Sequence, residues 1–419
     1  MGTSTRSEGL SAYIAVTAAY WAFMLSDGAL RMLVLLHFHT LGFSPVQLAY
    51  LFVLYELAGM ATNLAAGWIA ARFGLTSTLY AGLSIQILAL LALTQLDPTW
   101  AIGVSVSFVM LVQGASGVAK DLAKMSSKSA VKILAPQNDD GLFRWVALLT
   151  GSKNAVKGLG FLMGTALLAT FGFTTAVLGM AAVLVIVLVM VLVVMPSGLP
   201  EGRKDAKLSE VFSKSSNVNW LALSRVFLFG ARDVWFVVGI PIYFYAVLSD
   251  GSVAGNRSAF FMIGTFMALW IIIYGAIQAA APRLLRSKAR TQAQLITVAK
   301  QWAWALAAVP AVLTVAASIA PEPQPWLTLT LVAGLLVFGG LFAINSALHS
   351  YLILAFTKAE RVTMDIGFYY MANAGGRLAG TVLSGLTYQV GGLMLMLAVA
   401  TAMVTASGIA SSRLSTSQV

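Results

Sequence analysis

Apolar runs of about twenty residues, long enough to cross a bilayer as helices, follow one another along almost the whole chain. They predict spanning helices over residues 12–39, 46–71, 77–95, 99–122, 144–170, 174–195, 218–247, 257–281, 294–318, 327–350, 363–388 and 391–411. Short clusters of Gly, Pro and charge separate them: LGFSP, ARFGL, LDPTW, SDGSVAGN, APRLLRSKAR, APEPQP and FTKAER. The longest polar stretch, PSGLPEGRKDAKLSEVFSKSSNVN at 196–219, falls between the sixth and seventh runs. The pattern therefore predicts an all-α membrane protein of twelve transmembrane helices. It has an N-terminal six-helix half (1–195), a linker (196–217) and a C-terminal six-helix half (218–419).

Composition sharpens this. The chain of 419 residues is 59% hydrophobic and only 10% charged, where a soluble chain is about 25% charged. It lacks the charged residues to cover a soluble surface. Cysteine is absent, which excludes disulfides, thiolate metal sites, a Cys nucleophile and a thiol cage for a soft ion. The net charge of +11 is explained by loops on the cytoplasmic side, so nucleic acid need not be invoked. With the N-terminus inside, one set of loops holds Arg72, Lys128, Lys132, Arg203, Lys204, Lys207, Lys214, Arg283, Arg286, Lys288, Arg290, Lys358 and Arg361, joined by Arg6 and Arg413 at the termini. The opposite loops offer Arg257 beside Asp97, Asp250 and Glu322. Both termini are expected in the cytoplasm. The first apolar run is too long for a cleavable signal and contains Asp27 and Arg31. No His-Glu-x-x-His motif, Gly-x-Ser-x-Gly elbow or nucleotide-binding glycine loop lies on a credible segment. The expectation is a transporter rather than an enzyme, with no catalytic residue, metal or cofactor.

The chemistry lies in charges inside the spans. An ionisable side chain at the bilayer centre costs about 2.5–3.5 kcal/mol on insertion scales, and persists where it meets a wet cavity or an opposite charge. At about 1.5 Å per residue, Arg31, Arg232 and Arg377 fall nearest the midplane with Asp27, Glu56 and Asp233. Lys120, Lys124, Lys153, Lys157, Arg225 and Lys300 fall in the cytoplasmic third. Asp365, Tyr369, Tyr370 and Asn373 share the eleventh span with Arg377, and Asn345 and His349 lie in the tenth. KDLAKMSSKSAVK spaces Lys120, Lys124, Lys128 and Lys132 four apart, a stripe of repelling charges on a helix. Such a stripe suits water and headgroups, or an anion. Asp27 and Arg31, also four apart, suit an ion pair as well as a cavity. Arg232 and Asp233 are sequence neighbours, so they are expected on different faces. His37 and His39 are expected at the outer interface, and His349 at an interface or as a titrating group. Within the spans cations outnumber carboxylates, so an anionic ligand is expected to complete the charge. Arginine's planar fork suits phosphate or carboxylate oxygens, and lysine acts as a point charge.

The halves echo each other weakly. SDGALRMLV (26–34) and FGARDVWFVV (229–238) each carry Gly-Ala, an Arg close behind and an Asp nearby. Twelve spans in two halves with a cytoplasmic linker resemble the major facilitator fold, which implies a ligand site between the halves near the midplane. GWIAARFG (67–74) resembles that family's Gly-x-x-x-Asp-Arg-x-Gly loop, with Ala71 in place of the Asp. SDGALRMLVLLHFH, AKDLAKMSSKSAVK, RWVALLTGSKNAVKG and FLFGARDVWFVVGIP resemble the ArsJ-type organoarsenical efflux permease family over most of the chain.

That resemblance implies export of 1-arseno-3-phosphoglycerate across a bacterial inner membrane. It also implies a functional link to a glyceraldehyde-3-phosphate dehydrogenase that makes the ester from arsenate. The ester is a hard polyanion that calls for positive charge and hydrogen-bond donors, not thiolates. The expected binding set is Arg31, Lys120, Lys124, Lys153, Lys157, Arg232, Tyr369 and Arg377. Asp27, Glu56, Asp233 and Asp365 are coupling or ion-pair candidates. A monomer is expected. The alternative is an exchanger or uptake transporter of organic phosphates with the same fold, because site chemistry alone does not separate the two esters.

Overall fold

A computed structural model describes residues 2–133, 139–195, 215–285, 290–320, 323–357 and 362–415, and side chains within these except at 2–10, 66–67, 70–71, 128–133, 139–151 and 362–364. Most of the expected linker lies outside the described residues, as do Arg286, Lys288, Lys358 and Arg361. The side chains of Arg6, Ala71, Lys128 and Lys132 are likewise outside.

The described residues form helices and no strand. In chain order they are α1 (Gly2–Thr40), α2 (Pro45–Tyr50), α3 (Val53–Leu93), α4 (Ile102–Ile133), α5 (Asp139–Val194), α6 (Ser216–Val234), a π-helical turn (Trp235–Gly239), α7 (Ile240–Leu248), α8 (Val253–Leu284), α9 (Gln292–Ile319), α10 (Pro325–Phe356) and α11 (Val362–Ser412). Among the described residues ten stretches are long and apolar enough to cross a membrane. Two are double length: Ser152–Val194 has 43 residues and Asp365–Ser412 has 48. At about 1.5 Å per residue each is roughly twice a 30 Å hydrocarbon core. Each is broken in the middle by a glycine at positive φ, Gly172 (φ 75) in α5 and Gly392 (φ 59) in α11. An L side chain rarely adopts that conformation, so the chain reverses there. Divided at these breaks, the ten stretches accommodate the twelve predicted crossings, six before the linker and six after it.

The outer faces are apolar. Ile186, Val189, Leu192 and Val193 on α5, and Val312, Val315 and Ile319 on α9, are exposed. In a bilayer these positions meet acyl chains, so apolar residues occur on all sides of the helices.

Helix contacts explain the echo noted in the sequence. In the N-terminal half α1 packs on α5, and in the C-terminal half α6 packs on α11. A Cβ added to Gly28 would stand 2.8 Å from the Lys157 carbonyl, and one on Gly160 would stand 3.2 Å from the Gly28 Cα. A Cβ added to Gly380 would stand 2.5 Å from the Gly230 carbonyl, and one on Gly230 would stand 3.1 Å from the Gly376 carbonyl. Small residues let backbones approach closely where lipid supplies no hydrophobic driving force. The Gly-Ala pair of each half is thus a helix-crossing point. Between the halves, α5 packs on α8 and α3 on α11.

Beyond the Gly230 crossing the chain passes into the π-helical turn. Ser384 Oγ of α11 accepts hydrogen bonds from the Val238 and Gly239 amides at 3.1 and 3.2 Å, so the irregular backbone is not left unsatisfied in the membrane. Trp235 of that turn is buried against Trp270 (5.3 Å) and Phe338 (5.5 Å), edge to face.

Candidate functional site

Both crossing points are followed within one turn by the charges that make the site. Three residues beyond Gly28 is Arg31; three beyond Gly230 is Asp233. Arg31 reaches α3, where Glu56 Oε1 accepts from both its terminal nitrogens at 3.3 Å. Asp233 Oδ2 accepts from Arg377 Nε of α11 at 3.4 Å. Arg377 also extends to the other half and donates from Nη2 to Glu56 Oε1 at 2.6 Å. Glu56 and Asp233 are thereby linked through one arginine that joins the halves. Arg31, Arg232 and Arg377 keep side-chain exposures of 11, 12 and 18%. The network is enclosed without being sealed.

One expectation is corrected and one alternative is decided. Arg232 and Asp233 were placed on different faces, yet Arg232 Nε donates to Asp233 Oδ1 at 2.6 Å. The arginine stem is long enough to fold back, and a low-dielectric interior favours the pairing. Arg31 takes Glu56 as its partner rather than Asp27; Asp27 Oδ1 accepts the Tyr55 hydroxyl at 2.6 Å. Glu56 of α3 meets the guanidinium directly.

Lysines line the approach. The Lys120 ammonium lies 4.0 Å from the centre of the Tyr55 ring, and Lys157 lies 5.7 Å from Phe161. Both act electrostatically on Glu56, together with Arg377 and Arg31. Lys124 donates to Asn63 Oδ1 at 2.9 Å, pairs with Asp121 at 3.5 Å and lies 5.5 Å from the Tyr370 ring of the other half. Lys153 is exposed on α5, one turn before the half-buried Lys157. In the network and the lysine cluster beside it, Arg31, Arg232, Arg377, Lys120, Lys124 and Lys157 outnumber Asp27, Glu56, Asp121 and Asp233. Glu56 Oε1 accepts from two arginines while its Oε2 has no hydrogen-bond partner. Guanidinium donors exceed carboxylate acceptors, and an oxyanion entering here finds hydrogen-bond donors from both halves.

Two sequence candidates stand apart from this network. Tyr369 is eight residues before Arg377 on α11, about 12 Å along the helix, and its ring lies 4.9 Å from the Arg225 guanidinium. Asp365 is buried near the start of α11, a further turn away. His349 is 1% exposed and is interior, not interfacial, because α10 turns it toward α6. His37 and His39 sit at the far end of α1 on aromatic partners, Phe173 (4.1 Å) and Tyr245 (4.9 Å).

Sequence reasoning missed Tyr55 and Asp121. Tyr55 supports three charges, bonding Asp27 and facing Lys120 and Arg31 (5.7 Å). Its only sequence signal is adjacency to Glu56. Asp121 accepts from Thr62 and pairs with Lys124. It was legible as a carboxylate beside Lys120 inside the fourth span.

No protein-family model matches the chain, and no curated protein matches it. Solved structures do. A POT family transporter in complex with 5-aminolevulinic acid superposes with a TM-score of 0.71 at 14% identity, over 94% of this chain and 94% of that one. A mutant of the nucleoside transporter NupG gives 0.66 at 16% identity, over 97% and 98%. A bacterial homologue of the iron transporter ferroportin, outward-facing, gives 0.63 at 15% identity, over 96% and 99%. At such identities the likeness shows the fold alone: a helical multi-pass membrane architecture shared with these transporters.

Proposed function

We propose that this chain exports a small polyanion, the organoarsenical 1-arseno-3-phosphoglycerate, by alternating access across the bacterial inner membrane, and so confers resistance to arsenate. The observation that carries the proposal is the Arg31–Glu56–Arg377–Asp233–Arg232 network, which links the two halves and holds more cation than carboxylate. In the empty protein Glu56 and Asp233 occupy the arginines. An incoming ester, drawn by Lys120, Lys124 and Lys157, replaces them, with Arg31 and Arg232 taking its two charged ends and Arg377 released from one half. Releasing Arg377 from Glu56 loosens the tie between α3 and α11 and lets the halves rock. Two separated charged groups on the cargo match arginines presented from opposite halves. The membrane potential drives an anion outward, so export is not obliged to use a coupling ion.

Inverted vesicles take up substrate in the export direction. The reading expects saturable uptake of freshly made ester, lost when Arg31→Ala and Arg232→Ala are combined. Uptake that survives this double substitution places the site elsewhere. Preference for 3-phosphoglycerate over the ester identifies the organic-phosphate exchanger instead. A collapsed proton gradient distinguishes coupled export from uniport.

A further inference from the structure

Seven residues before Arg232 on α6 lies Arg225, about 10 Å nearer the end of the helix that bears the linker. It is 4% exposed, and its environment differs from that of the central arginines. Nη1 donates to the Ser346 carbonyl and hydroxyl, both at 3.2 Å. The guanidinium lies 4.0 Å from the Phe229 ring and 4.9 Å from the Tyr369 ring. Among the described residues no carboxylate pairs with it, and its Nε has no hydrogen-bond partner. His349 stands in its field, 1% exposed, with Nδ1 and Nε2 both unpartnered. Ser346 is further held by Gln278 Nε2 at 3.2 Å. Gln278 accepts from Asn154 of the N-terminal half at 3.4 Å, so this cluster also borders the junction of the halves.

Buried polar atoms are nearly always hydrogen-bonded, and each exception calls for an explanation. A buried charge without a counter-charge is costlier still. One carbonyl, one hydroxyl and two aromatic faces solvate part of the guanidinium but do not neutralise it. Arg225 Nε lacks a partner among the described residues, and so does the imidazole of His349, which stands one turn along α10 from the Ser346 that Arg225 bonds. An oxyanion would supply both what is missing in hydrogen bonding and what is missing in charge, since a neutral imidazole still presents one N–H.

We infer that Arg225, His349 and Ser346 form a second binding site for a phosphate- or arsenate-type oxyanion, separate from the central network. The inference rests on the anion-transport reading above. It makes the path a two-station one, in which the anion is held within the C-terminal half before it reaches Arg232. Among the described residues no carboxylate is paired with Arg225, so filling this station breaks no ion pair among them.

The test is equilibrium binding of radiolabelled inorganic phosphate to the full-length protein in phosphatidylcholine nanodiscs. Two equivalents are expected for the unaltered protein. One is expected for Arg225→Gln, and one, at the other station, for the Arg31→Gln/Arg232→Gln double substitution. His349→Gln retains the guanidinium and should weaken the second equivalent about tenfold, as loss of one charge-assisted hydrogen bond does. Two undiminished equivalents in Arg225→Gln overturn the inference. So does a single equivalent that the double substitution removes, an outcome that leaves the central site standing. If Arg225→Gln does not fold, an unaltered second equivalent in His349→Gln overturns it. No phosphate binding at all by the unaltered protein overturns this inference and the transport reading together.

Discussion

The two halves make the same helix crossing and place opposite charges just beyond it. Gly28 lets α1 meet α5, and Gly230 lets α6 meet α11. Three residues on, the N-terminal half has a cation, Arg31, and the C-terminal half a carboxylate, Asp233. Each finds its complement on a neighbouring helix of its own half: Arg31 on Glu56 of α3, and Asp233 on Arg377 of α11. The repeated crossing fixes where the charges sit, and the change of sign lets one residue, Arg377, join them. The asymmetry teaches that the backbone contact is shared structure, while the charges on it are free to specialise.

The comparison breaks most completely at the crossings. Gly160→Leu and Gly380→Leu place a side chain where a Cβ alone would already meet backbone at 2.5 Å in each case. Both should abolish folded protein in the membrane, read as loss of the monodisperse peak in detergent extracts. Equal loss in both halves is expected, because the contact is the same. A normal peak from either variant would mean that this crossing is not required.

Removing the charges should spare folding more and abolish function. Arg31→Ala or Arg232→Ala alone should lower vesicle uptake roughly 100-fold, the scale of losing one or two charge-assisted hydrogen bonds to an anion. Membrane abundance measured alongside separates this from misfolding.

Neutralising the carboxylates should distinguish the halves. Glu56→Gln removes the competitor that occupies arginines of both halves, and should tighten binding of 3-phosphoglycerate about tenfold while slowing turnover. It should also widen the distance between spin labels on cysteines introduced into α3 and α11, an experiment made clean by the absence of native cysteine. Asp233→Asn leaves the tie between the halves in place and should leave that distance unchanged. Equal widening in both variants would dissolve the distinction drawn here.

The smallest expected effect is at Asp121→Asn. Lys124, 30% exposed, would keep Asn63, and the new amide oxygen would still accept from Thr62, so one ion pair is lost and no hydrogen-bond partner of Lys124. Thermal unfolding midpoints should shift slightly and uptake by no more than a few-fold.

Much of the fold was legible because the bilayer imposes a length. A run of about twenty apolar residues has few alternatives to a spanning helix, so the predicted crossings at 257–281 and 294–318 lie within Val253–Leu284 and Gln292–Ile319. The midplane charges were legible for a related reason: Arg31, Glu56, Asp233 and Arg377 stand out in spans where ionisable groups are costly. Their partners were not. Arg377 and Glu56 are 321 residues apart in sequence, and no spacing rule reaches across that distance. The i,i+4 rule offered Asp27 to Arg31 as one alternative, and helix periodicity separated Arg232 from Asp233. Packing overrode both, because a long guanidinium stem samples several carboxylates and takes the one the interior leaves unsolvated.

By itself, then, the sequence determined which segments enter the membrane, how many cross it, and that cationic side chains exceed acidic ones within them. Those properties depend on transfer from water to hydrocarbon, which is a sum over residues and indifferent to neighbours far along the chain. Only the tertiary structure decided that Gly28 and Gly230 mark equivalent crossings, that Arg377 joins the halves, that the Tyr369 ring faces Arg225, and that Arg225 pairs with no carboxylate among the described residues. Each of these is a matter of which surfaces meet, and close packing of helices selects that from many arrangements of equal hydropathy.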